Sequence, residues 1–241
     1  MMCVLLALGV AGAAKTKVTC IGDSITEGAG CANYISYVSN LQTLLGEQFE
    51  VVNAGASSQT QLKNGLCFAP PATDKCSYRD TDAWQRALTS GADIYTIQLG
   101  TNDAKSFNWQ GVQMDTGDFY TLDYLDMVQE LARLSPPPKA IFVMIPPPLW
   151  TNSTGSYPFH MDPRIINSVL PQLIPEIARI AGPSTVTGVI DVQGAVLSSP
   201  FAKPNSKMHS KLTCDGCHPT PLTNQIIANA MAPHILAVAK D

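Results

Sequence analysis

Lys17-Val18-Thr19-Cys20-Ile21-Gly22-Asp23-Ser24-Ile25-Thr26-Glu27-Gly28 changes character at Gly22. Residues 17–21 are rich in apolar and β-branched types, the composition of a strand. Gly-Asp-Ser follows with no linker. A serine just past a strand end is where an open α/β sheet builds its sites, so the rest of the chain decides whether such a sheet exists. Four further β-rich runs follow, at residues 49–53, 93–99, 140–145 and 186–191. The run at 140–145 is apolar throughout, as expected of a strand covered on both faces.

Helical patterns fill the intervals, at residues 34–45, 81–89, 119–134, 163–181 and 222–239. The first places Ile35, Val38, Leu41 and Leu45 on one face. The third does so with Leu122, Leu125, Val128, Leu131 and Ala132, and the last with Ile226, Ile227, Ala230, Met231 and Ile235. Pro171 and Pro175 predict a kink or break in the fourth, and Pro233 a kink in the last. Strand alternating with helix implies right-handed crossovers and a three-layer α/β/α domain on a five-stranded, mostly parallel sheet.

The 241 residues suit one such domain, and 45% hydrophobic composition supplies its core. A formal charge of −4 leaves no basic excess for a nucleic-acid partner. Residues 1–14 form an apolar run too short to span a bilayer, with Ala11-Gly12-Ala13 as a cleavage pattern, and read as a secretory signal peptide. The domain is then residues 15–241, secreted, with no integral membrane segment. Asn152-Ser153-Thr154 is a sequon that a secretory route could glycosylate.

Loss of the leader removes Cys3 and leaves six cysteines: Cys20, Cys31, Cys67, Cys76, Cys214 and Cys217. Six allow fifteen pairings. Cys67 and Cys76 flank a Pro-rich loop and make a local staple. Cys214 and Cys217 lack the partners of a zinc site, so a local disulfide or two free thiols is expected. Cys20 lies in a strand and reads as a buried thiol.

The polar residues collect at four places: Gly22 to Gly28, Asn53-Ala54-Gly55, Gly100-Thr101-Asn102-Asp103, and Asp215-Gly216-Cys217-His218-Pro219. Each alone is compatible with a turn or a helix cap. Together, in this order, they resemble the SGNH or GDSL-type hydrolase family, whose four naming residues match Ser24, Gly55, Asn102 and His218. The resemblance spans nearly the whole chain after the leader and implies a flavodoxin-like α/β/α fold. The stretch Gly100 to Lys105 with Asn108-Trp109, and Pro146-Pro147-Pro148, is similar to the branch labelled sialate O-acetylesterase-like, a carbohydrate acetylesterase group. Two departures stand out. Ser57-Ser58 occupies the place of a glycine common a few residues after the second block, and Cys217 replaces an apolar residue before the histidine.

Ester hydrolysis requires a nucleophile, a base, an orienting acid and donors for an oxyanion. The resemblance and this logic assign them to Ser24, His218 and Asp215, with the Ser24 and Gly55 backbone N–H groups and the Asn102 amide as donors. Asp23, Thr101 and Asp103 brace loops. Trp109 is expected to line the substrate cleft, Trp84 and Trp150 to pack, and His160, His209 and His234 to be surface or structural. No metal or other cofactor is called for. The substrate expected is an acyl ester, above all acetyl, of a carbohydrate or similar small alcohol. The same residues also suit a lipase, aryl-ester or thioester hydrolase or an acyltransferase, and more remotely a non-catalytic carbohydrate-binding protein. The rate should rise with pH through an apparent pKa near ~6.5–7.5. The direction of the histidine's shift stays open, because Asp215 raises it and burial lowers it. A bridge between Cys214 and Cys217 would hold Asp215, so that reduction lowers activity before it unfolds the chain.

Overall fold

The computed structural model describes residues 14–31, 35–110, 118–151, 155–202 and 209–240, the side chains of 209 and 210 excepted. The segment expected to be a leader, save Ala14, and the sequon at 152–154 lie outside the described residues. Five strands, β1 (Thr16–Gly22), β2 (Phe49–Gly55), β3 (Ile94–Gln98), β4 (Ala140–Ile145) and β5 (Gly188–Asp191), form one sheet in the order β2-β1-β3-β4-β5. Every pairing is parallel. Gly22 stands opposite both Gly55 and Gln98, so β1, β2 and β3 end at one level. The strand order reverses between β1 and β3, which opens a crevice at their carboxyl ends.

β4 explains why the sheet sits between two layers. Its even-numbered residues Ala140, Phe142 and Met144 face one core, and Ile141, Val143 and Ile145 the other. The first core is closed by α2 (Tyr37–Leu45), α7 (Val192–Leu197) and α9 (Pro221–Val238), through Tyr37, Leu41, Val196, Ile227, Met231 and Ile235. The second is closed by α3 (Asp82–Thr89), α5 (Asp118–Ala132) and α6 (Leu170–Ala181), through Trp84, Tyr120, Tyr124, Ile174 and Ile177. Each fully buried aliphatic side chain contributes ~1.5–3 kcal/mol.

Several details differ from the sequence reading. In α5 the inward face is Tyr120, Tyr124, Met127, Val128 and Leu131, while Leu122 is exposed. Tyrosine wins those positions because its hydroxyl has a partner at depth: Tyr120 and Tyr124 donate to the carbonyls of Leu99 and Ile97 at 3.0 and 3.2 Å. Ile35 lies outside α2 and is exposed. Pro171 falls in the first turn of α6, directly after a π-helical turn over Ile165–Val169 that runs into it. Pro175 and Pro233 are carried inside helices that continue past them. Four short helices, α1 (Ser24–Glu27), α4 (Ser106–Trp109), α7 and α8 (His209–Leu212), have too few turns to show a period.

Candidate active site

Ser24 opens α1 immediately after β1. Asp23 caps that helix, its Oδ1 accepting from the Ile25 N–H at 3.0 Å. Asn53, near the end of β2, reaches across and donates to the Thr26 carbonyl at 2.8 Å. A short helix that could not hold itself is thus pinned to two strand ends.

The loop before α9 brings the base. Asp215 Oδ1 accepts from the backbone N–H groups of Cys217 and His218, both at 2.8 Å. That leaves Oδ2 for His218 Nδ1, at 2.6 Å. His218 Nε2 lies 3.0 Å from Ser24 Oγ. Gly30 makes the approach possible: a Cβ there would sit 2.5 Å from His218 Cβ and Cγ. Burial alone raises the Asp215 pKa, but hydrogen bonds from the His218 ring and from the His218 and Cys217 amides outweigh it and bring it down to about 2. Burial lowers the His218 pKa, but the hydrogen bond to Asp215 and the Asp215 and Asp23 charges raise it, with a net rise above its ordinary value. The sequence left that sign open.

Asn102 sits beyond β3 on a loop braced by Asp103, whose carboxylate accepts from Gln61 and Leu62 N–H at 2.9 and 2.8 Å. Asn102 Nδ2 donates one hydrogen to the Gln59 carbonyl at 3.2 Å, which leaves the other for a ligand. Ser24, His218 and Asn102 line one cavity of about 210 Å³, together with Ala29, Ser57, Ser58, Lys105, Phe159 and Met161.

The model of the GDSL-like lipase/acylhydrolase family matches residues 20–226. The chain belongs to that family. Lipases and acylhydrolases are carboxylic ester hydrolases. An acetylxylan esterase of Xylanibacter ruminicola is 28% identical over 243 residues, 93% of this chain and 43% of that protein, so the chain spans under half the length of that curated relative. A carbohydrate acetylesterase from Sinorhizobium meliloti superposes with a TM-score of 0.62 at 17% identity, covering 93% of this chain and all of the other. An acetylxylan esterase from Geobacillus stearothermophilus gives 0.61 at 22% identity, covering 92% and 94%. At such identities the two structures speak for the fold.

Three expectations for this GDSL-like chain need correction. Gly55 does not line the cavity, and its N–H already donates to Asn53 Oδ1 at 2.8 Å. It is glycine for packing, since a Cβ would lie 2.1 Å from the Glu27 nitrogen. Ser58 lines the cavity instead, at φ 66°, and its N–H has no acceptor among the described residues. Trp109 is 1% exposed and packs on Tyr120 in the core at 5.7 Å, because α4 turns its ring away from the cleft. Cys214 bonds not to Cys217 but to Cys31, on the loop after α1. Cys217 is a free, buried thiol because its side chain faces the core, whereas Cys214 faces outward.

The remaining cysteine and tryptophan readings agree. Cys67 and Cys76 are bridged, and Cys20 is a free buried thiol. Trp84 is buried, Trp150 packs against a core, and His234 lies edge-on to Phe142. His209 begins α8, and its side chain lies outside the described set. Phe159, whose ring stands edge-on to His218 at 5.6 Å, carries no mark in the sequence. Nor did it single out Lys105 and Met161, which also line the cavity.

Proposed function

We propose that this protein is a serine esterase that removes short acyl groups, acetyl above all, from a carbohydrate or similar alcohol. The observation that carries this reading is the hydrogen-bonded line Asp215–His218–Ser24 opening on a cavity that also holds Asn102. Ser24 Oγ attacks the ester carbonyl while His218 Nε2 takes its proton. Asp215 keeps the Nδ1–H tautomer and stabilises the imidazolium. The oxyanion accepts from the free Asn102 N–H and the Ser58 and Ser24 backbone N–H groups. His218 then protonates the departing alcohol. Water, deprotonated by His218, releases the acid from Ser24 and restores the enzyme.

The acyl preference is supported by size. A cavity of about 210 Å³ is small beside the ~300–1,000 Å³ usual for ligand pockets, which favours a short acyl group. The acetylxylan esterase relative points the same way. Hydrolysis of 4-nitrophenyl esters from acetate to palmitate tests the reading. Acetate should be preferred, and Ser24→Ala should abolish turnover of every member. A preference for long chains would refute the acetylesterase reading, and undiminished turnover by Ser24→Ala would refute the mechanism.

A further inference from the structure

A second cavity of about 250 Å³ adjoins the first. It shares Ser58, Lys105 and Phe159 with the first, and adds Phe68, Phe107 and His160. The non-glycine residues with positive φ among the described residues are Ser58, Phe159 and His160, and all three line this cavity. Left-handed backbone at such residues persists only where the surroundings enforce it, and it concentrates at functional sites.

The walls are fixed in place. Met161 forms a backbone bridge with Lys105, and the Asp162 N–H donates to the Ala104 carbonyl at 2.8 Å, which holds the Phe159–His160 turn. On the other side the Cys67–Cys76 disulfide closes the loop that carries Phe68. Asn108 grips Leu66 through both its N–H and its carbonyl, at 2.7 and 3.1 Å.

Lys105 lies between the two cavities and is only 6% exposed. Its Nζ donates to the Cys67 carbonyl at 3.2 Å. No carboxylate forms an ion pair with it among the described residues. Both oxygens of nearby Asp103 are taken by backbone N–H groups. An ammonium has three donors, so two remain for a ligand. Burying this cation is costly, and the nearby Asp103 and Asp23 charges offset only part of that cost because neither forms an ion pair with it. A ligand carboxylate within reach of Nζ recovers more.

We propose that the second cavity receives the alcohol portion of the substrate, and that this portion carries a carboxylate that pairs with Lys105. This deepens the ester-hydrolase reading and rests on it. The direction follows from Phe159. Its ring stands against His218, which returns the proton to the leaving alcohol, and it lines both cavities. The alcohol therefore leaves past Phe159 into the second cavity. The aromatic walls suit the face of a ring. An acidic sugar and a hydroxyaryl acid share this chemistry.

The competing explanation is that Lys105 only tethers the Cys67 loop. The test compares 4-acetoxyphenylacetate with its methyl ester, in which a methylene insulates the reacting ester from the charge. Wild-type kcat/KM should favour the carboxylate about 10-fold or more, mainly through KM, the size of a charge-assisted hydrogen bond. High ionic strength should shrink that ratio. Lys105→Met should abolish the ratio while still hydrolysing the methyl ester, and Lys105→Arg should keep part of it. If Lys105→Met does not fold, the wild-type ratio and its salt dependence decide. Equal hydrolysis of both esters by wild type, or an unchanged ratio in Lys105→Met, overturns the carboxylate site alone. Hydrolysis of neither overturns the ester reading and this one with it. A second pair, an acetylated methyl glucuronoside and its methyl ester, tells a sugar from an aryl acid by which pair shows the larger ratio.

Discussion

His218 is useful as a base only when neutral, and its surroundings favour the charged form. Burial works against the charge, but the Asp215 hydrogen bond and the Asp215 and Asp23 charges prevail. The pH profile of kcat/KM should therefore rise through a midpoint above the ordinary ~6.5. Asp215→Asn removes the anion, so its midpoint should fall, with kcat down by up to ~10⁴. Stability should move the other way. A histidine whose pKa is raised on folding stabilises fully below its unfolded value, and that contribution is lost as pH climbs through the folded value. Asp23, raised by burial to about 6, and Asp103, raised by burial to about 7, obey the same sign, with their contributions complete below ~3.9. Asp215, brought down to about 2, contributes above ~3.9 and is lost only as pH falls toward 2. Between pH 4.5 and 8, Tm should decline while kcat/KM rises. A Tm that climbs in parallel with kcat/KM would contradict this account of the site.

The junction of β2 with α1 shows what a glycine does at the scale of elements. Gly55→Ala puts a methyl group into the Glu27 backbone, with nothing flexible to yield. Overpacking of this kind costs about 1–3 kcal/mol, and urea unfolding should register it. Ser58→Gly should behave oppositely. It relieves a left-handed serine worth ~1–2 kcal/mol, offset by ~0.5–1 of glycine entropy, and it keeps the backbone N–H, so kcat should stay within a few-fold. A large loss of kcat in Ser58→Gly would place the Ser58 hydroxyl, rather than its amide, in the reaction. The five strands were legible because each is a β-rich run between helical ones, and Ser24, Asn102, Asp215 and His218 because each follows a strand or precedes a helix. Ser58 was legible only as a departure, one of two serines where a glycine is common, and Phe159 was not legible at all, since positive φ at phenylalanine leaves no compositional trace. Gly55 was misread because a glycine kept for packing and one kept for an open amide look alike in sequence. Trp109 was misread because nearness in the chain to Asn102 says nothing about which way a one-turn helix points its ring.

At the scale of the molecule, two distant segments must meet for the site to exist. Cys31 and Cys214, 183 residues apart, tie the loop after α1 to the loop that holds Asp215. On the chain-entropy model such a closure contributes about 5 kcal/mol, against ~2.5 kcal/mol for the nine-residue separation of Cys67 and Cys76. Cys214→Ser should therefore lower Tm more than Cys76→Ser. Activity is the more sensitive quantity, because misplacing Asp215 and His218 by ~1 Å can cost ~10²-fold in rate. Hydrolysis and circular dichroism followed together during reductant titration should show activity falling first. Activity that survives until the fold is lost would mean that the tether does not position the site.

The central claim is that these converging segments make Ser24 a nucleophile. Incubation with an acyl-mimicking phosphonate, followed by intact mass and peptide mapping, tests it most directly. The account predicts one adduct per chain, on the peptide containing Ser24, formed in step with loss of esterase activity and absent in Ser24→Ala and much slowed in His218→Ala. An adduct on another residue that tracks the loss of activity, or full esterase turnover with Ser24 unlabelled, would contradict it.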